Sequence, residues 1–202
     1  MDERNQERPP ARENAEEAVA AVRETLAATI ARLSEAGART ELLAELITDR
    51  RTLFIRREPV LRPIGRVWRL GVVLLGVPAE GRTRQPAPAS PPDAVQLWAT
   101  GNLIRATTPG RTQYVSLSAE TRRAYRAAAE RGHIPSGATV NFDAPAIRLD
   151  AESLSTSAGP LLLRDGRVLV RWSAAVADAD ARDFRAYVEE RADLLAHPPE
   201  GA

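Results

Sequence analysis

Two histidines, His133 and His197, together with scattered serines and carboxylates carry most of the proton-transfer chemistry open to this chain at neutral pH, because its 202 residues include no cysteine and no lysine. All 28 cationic side chains are arginine. That alphabet excludes a lysine Schiff base to pyridoxal phosphate, a phosphate-loop lysine and a Ser-x-x-Lys nucleophile. It also excludes disulfides, thiolate nucleophiles, zinc ribbons and iron–sulfur clusters. A hydroxyl paired with an imidazole remains open, as does a water activated by a carboxylate. Ser116, Ser118 and Ser136 stand near His133 in sequence, but no Gly-x-Ser-x-Gly elbow holds a serine strained and exposed. His133 follows a helix-ending Gly132, and His197 lies in a last helical turn, where a cation complements the dipole. His133, Asp143 and Ser116 are the candidate catalytic residues.

Binding constellations are more numerous. From Arg50 to Arg69 seven arginines face the single acid Glu58, a net of +6. Strand alternation puts Arg66 and Trp68 on one face and Arg69 on the other, so a guanidinium beside an indole can meet a carboxylate, phosphate or base. The alternative is that these arginines pair with acids of the terminal helices and cover apolar surface with their stems. Asn141 and Asp143 share a face at a strand end and can orient a polar ligand or a water, although Asn and Asp before Pro145 are also ordinary turn formers. Arg66, Trp68, Asn141 and Asp143 are therefore the candidate ligand-binding residues. Asp178, Asp180 and Asp183 alternate as calcium ligands do, but lack the glycine and the distant glutamate; they read as the start of a helix. The glycines at 132 and 137 have phosphate-loop spacing, with alanine where lysine is required and a helix where a strand must precede. No His-x-x-x-His spacing supports zinc. Neither a metal nor a cofactor is expected.

Positioning these residues requires an α+β fold. Val19, Val22, Leu26, Ile30 and Leu33 recur at helical steps between Ala15 and Ala36, and Gly37 ends that helix. Thr40 caps a second predicted helix from Glu41 to about Asp49, making an N-terminal helical hairpin over 15–50 behind a disordered tail at 1–14. The remainder, 51–202, is an α+β domain. Its mostly antiparallel sheet of about six to seven strands takes in Thr52–Arg57, a long strand Ile64–Val77, and a return strand Val95–Thr107 with a bulge at Gly101. Further short strands are expected at Tyr114–Leu117, Ala138–Asp143 and Ala146–Asp150. A Pro-rich loop occupies 78–94. One internal helix runs from Ser118 to Arg131. Asp165-Gly166 marks a tight hairpin, and a C-terminal helix over about Ala181–Ala196 turns Phe184, Val188, Leu194, Leu195 and the Arg191 stem inward.

A formal charge of +1 gives no whole-molecule field for nucleic acid or an anionic membrane. The charged N-terminus is not an export signal, and uncharged stretches stop at about ten residues, half a membrane span. The chain reads as cytoplasmic, and an arginine-only, alanine-rich alphabet as the product of a GC-rich bacterial genome.

Arg62-Pro-Ile-Gly-Arg-Val-Trp-Arg-Leu-Gly-Val-Val-Leu-Leu, Ala99-Thr-Gly, Thr139-Val-Asn-Phe-Asp and His197-Pro-Pro-Glu-Gly together resemble a group of small actinobacterial proteins described as glutaminase-like, over most of 30–202. The resemblance implies amide hydrolysis. Serine-dependent glutaminases use Ser-x-x-Lys and glutamine amidotransferases use cysteine, so no catalytic residue transfers by position. The leading expectation is a non-catalytic binding or assembly module, with a homodimer through the helix of 15–36 and a small anionic or amide ligand. An amide hydrolase without Lys or Cys is the second expectation. Nucleic-acid binding through Arg50–Arg69 is third and disfavoured, since aromatic residues for stacking are scarce.

Overall fold

The computed structural model describes residues 11–48, 51–52, 55–56, 58–78, 95–107 and 117–199. The elements are α1 (Ala11–Glu35), β1 (Glu41–Ile47), β2 (Arg51–Thr52), β3 (Ile55–Arg56), β4 (Val60–Leu70), β5 (Val73–Gly76), β6 (Leu97–Ala99), β7 (Asn102–Arg105), α2 (Leu117–Arg131), β8 (Thr139–Phe142), α3 (Ala151–Ser155), β9 (Leu161–Arg164), β10 (Arg167–Val170), β11 (Arg182–Asp183) and α4 (Phe184–Ala196). The class is α+β, and the chain divides into two compact units. One comprises 1–38, 70–72 and 147–202; the other comprises 39–69 and 73–146.

In the first unit α1 buries Val19, Val22, Leu26 and Leu33, as its spacing predicts, and adds Thr25 and Thr29. Both threonine hydroxyls donate to carbonyls one turn earlier, which allows a hydroxyl in an apolar face. The helix starts at Ala11, so 11–14 are helical where a tail was expected, and Gly37 closes it at φ +58°. This stripe packs against α4, α3 and β10 within its own unit. It is therefore not held out for a second subunit, and the expected homodimer seam over 15–36 is already covered. The sheet runs β11-β10-β9, with Asp165 (φ 49°) and Gly166 (φ 66°) forming the expected two-residue turn between β9 and β10. Asp183 caps α4 by accepting from the Ala186 N–H at 3.1 Å. The inward residues of α4 are Phe184, Tyr187, Val188 and Ala192, while Leu194 is half exposed, contrary to the sequence expectation. Tyr187 is buried, with its hydroxyl accepting from the Val72 N–H at 3.1 Å.

In the second unit the sheet runs β6-β5-β4-β1-β8-β7. The segment expected as a second helix, Glu41 to about Asp49, is instead strand β1. It is antiparallel to β4 and parallel to β8, so there is no helical hairpin. The expected single strand Ile64–Val77 is two strands, because Gly71 at φ +66° reverses the chain after Leu70. Pro63 sits inside β4 beside a register shift opposite Leu43 and Ala44, the kind of bulge that tolerates proline. The expected return strand is broken at Thr100–Gly101. Its halves, β6 and β7, lie at opposite ends of the sheet order although two residues join them. Three Cα steps span at most about 11 Å, so the ends of the sheet meet. Ala99 donates to the Pro145 carbonyl at 2.9 Å, and Trp98 bridges Ala146. The result is a closed barrel in which 97–105 acts as one bent strand. A side chain at Gly101 would lie 2.2 Å from the Asp143 carbonyl oxygen, which explains the glycine there better than a bulge does. Of the strands expected after 107, 139–142 forms as β8. Residues 114–116 lie outside the described residues, and 146–150 contributes only the Ala146 bridge.

α2 lies against one face of this sheet, with Ala128, Ala129 and Tyr125 on Ile104, Val140 and Phe142. Tyr125 meets Phe142 edge-on, with ring centroids 4.8 Å apart. The helix ends at Arg131 as expected, but Gly132 is not its left-handed residue. His133 takes the left-handed position at φ 55°, with its N–H on the Glu130 carbonyl and the Ile134 N–H on that of Ala129. Gly132 serves packing instead, since a Cβ there would stand 1.8 Å from the Leu61 carbonyl oxygen. Adjacent substitutions should therefore have opposite signs in denaturant unfolding. His133→Gly is expected to stabilise by about 0.5–1 kcal/mol through relief of left-handed strain. Gly132→Ala is expected to destabilise by about 1–3 kcal/mol through overpacking.

Candidate functional site

The four candidate ligand residues all belong to the barrel unit but do not face one space. Arg66 is exposed, and its Nε donates to Thr40 Oγ1 at 2.7 Å. Trp68, on the same side of β4, is buried at 2% exposure. Asp143 follows β8 in the left-handed region at φ 51°, accepting from Asn102 Nδ2 at 2.8 Å. It is a turn residue whose carboxylate is occupied by a neighbouring amide. Asn141 is fully buried.

Asn141 instead belongs to a cluster that the sequence did not indicate. Its Nδ2 donates to Glu41 Oε2 at 2.7 Å and to the Leu42 carbonyl at 3.3 Å, and its Oδ1 accepts from Arg69. Arg69 Nε also reaches Glu41 Oε2 at 3.3 Å, so the three side chains close a ring over β4, β1 and β8. Register explains the meeting: Leu43 is level with both Gly65 and Asn141, which puts Glu41, Asn141 and Arg69 on one face of the sheet. Reading 41–49 as a helix concealed Glu41 from this face. Arg62, directly opposite Glu45, pairs with it. The partners of Arg62 and Arg69 are therefore acids of β1, not of the terminal helices. The side chains of Arg50, Arg51, Arg56 and Arg57 lie outside the described residues.

The catalytic candidates also stay apart. His133 is exposed at its helix end, and Ser116 lies outside the described residues. His197 caps α4, with Nδ1 3.2 Å from Asp193 Oδ1, an oxygen that Arg32 shares. Among the described residues no three histidines, aspartates or glutamates gather as metal ligands. Asp178 is a clamp: it holds Arg171 and Arg164, whose other nitrogens donate to the carbonyls of Ser157 and Ser155. No protein-family model matches the chain, and neither a curated protein nor a solved structure proves similar to it.

Four carboxylates of the first unit are held below their ordinary range. The hydrogen bond from Arg171, with Arg164 adding to it, lowers Asp178; the Ser153 N–H lowers Asp150; Arg182 lowers Glu190. Burial pushes Asp183 up, but the Ala186 N–H and Arg167 outweigh it. A lowered folded value means that the unfolded chain binds protons more readily. The stability these groups supply is therefore complete above the ordinary values of 3.8 and 4.5, and is lost as pH falls through the lower folded values. A urea midpoint that is level above about pH 5 and declines below about pH 4 is expected, with a shallower decline in Asp178→Asn. A midpoint level down to about pH 3 would contradict this.

In the barrel unit, Asn141→Ala removes the partner of two charged groups that are mostly shielded from water. It should lower stability by about 1–3 kcal/mol. Arg62→Ala, which breaks an exposed pair, should lower it by less than about 1 kcal/mol. Equal losses in chemical denaturation would mean that the buried ring contributes no more than a surface contact.

Proposed function

We propose that the chain is a non-catalytic binding module. The observation that carries this reading is the commitment of its reactive groups: Asn141 to Arg69 and Glu41, Asp143 to Asn102, and His133 to a helix end on the surface. A hydrolase needs a nucleophile or base and an oxyanion donor aimed at one point. Here the polar side chains hold strands and turns together.

The glutaminase-like resemblance supplies the test. Purified full-length chain incubated with glutamine, and separately with asparagine, is expected to release no ammonia above buffer. Release that Asp143→Asn or His133→Ala abolishes would overturn the reading and make those residues catalytic. Release that survives both changes would overturn it too, and would direct the search to a hydroxyl.

A further inference from the structure

Arginine is unevenly shared between the two units. The barrel unit, 39–69 and 73–146, has sixteen arginines against nine acids, a net of +7. The other unit, 1–38, 70–72 and 147–202, has twelve against eighteen, a net of −6, and the two account for the whole-chain +1. A nearly neutral total thus conceals a strongly basic unit.

Pairing sharpens the contrast. Each of the ten described arginines of the acidic unit holds a carboxylate or a backbone carbonyl. In the barrel unit Arg62, Arg69 and Arg131 take up Glu45, Glu41 and Glu58. The side chains of Arg39, Arg105, Arg122 and Arg126 make no hydrogen bond or ion pair among the described residues. Arg122 and Arg126 are one turn apart on α2, which packs against β7, the strand that ends on Arg105. Leu42, Val140 and Ile104 stand in one row, so Arg39 enters β1 at the same end of the sheet as Arg105.

Guanidinium forks with vacant donors match phosphate oxygens. The half-exposed large apolar residues of this unit are Ile64 and Leu103; no aromatic side chain among its described residues is exposed as they are. Among the described residues no exposed ring therefore offers a base a surface to stack on, which disfavours single strands. We infer that the barrel unit binds the phosphate backbone of double-stranded nucleic acid through Arg39, Arg105, Arg122 and Arg126, without reading base sequence. The inference rests on the binding reading above and names its ligand class.

Full-length chain is titrated against a fluorescent DNA duplex of about 20 base pairs between about 50 and 200 mM salt, reading anisotropy. Four phosphate contacts predict a log–log salt slope of about −3.6, an affinity loss of roughly 100-fold over that range. Replacing Arg39, Arg105, Arg122 and Arg126 by Gln should weaken binding at least tenfold and flatten the slope. A charge-matched variant with Arg12, Arg148, Arg167 and Arg185 changed to Gln should bind like the parent. Circular dichroism checks that both variants fold. No duplex binding at about 50 mM salt, equal binding by the first variant, or equal loss in the second would each overturn the inference. So would tenfold preference for a single strand of the same length, or salt-sensitive self-association without DNA binding, which would assign the surface to a second copy of the chain. None of these results bears on ammonia release, so the non-catalytic reading stands or falls separately.

Discussion

A single buried amide organises the barrel unit. Asn141 lies on β8, which pairs with β1 in a parallel ladder, and its amide engages Glu41 and Leu42 of β1 and Arg69 of β4. Parallel pairing lacks the hairpin that fixes register in antiparallel neighbours, and a slip of one residue would turn every side chain of β8 to the wrong face. A fully buried amide with three satisfied bonds penalises such a slip, because the shifted register would strand a guanidinium and a carboxylate away from their partners.

The absence of lysine is consistent with this construction. A guanidinium divides its donors between two acceptors in fixed directions, as Arg69 does between Glu41 and Asn141, and as Arg171 does between Asp178 and the Ser157 carbonyl. An ammonium could supply the charge but not the planar fork. The clamps of both units thus rest on the same side-chain geometry.

Local signals were legible where one stretch of chain decided the outcome. The spacing of α1, its closure at Gly37 and the Asp165-Gly166 turn could all be read because each depends on residues within a turn or two. The segment Glu-Leu-Leu-Ala-Glu-Leu-Ile at 41–47 could not: its residues favour helices, and burial between β4 and β8 overrode that preference. Losing β1 as a strand removed Glu41 from view, and with it the ring around Asn141. The break at Thr100–Gly101 was hidden similarly, since the glycine answers to a carbonyl some forty residues ahead rather than to its own neighbours. Sequence also showed the basic run at 50–69 but not that the chain folds into two oppositely charged units, because the acidic one is assembled from distant segments.

That discontinuity has a consequence for synthesis. α1 is made first, yet it packs on α4, and Arg32 grips Asp193 161 residues further along. The barrel elements, 39–69 and 73–146, have all emerged before α3 and α4 exist. During translation the apolar stripe of α1 must therefore wait, uncovered, while the middle of the chain takes shape. Closing so long a loop is entropically costly, so docking of the terminal helices is expected to come late, with apolar surface open to aggregation until it does.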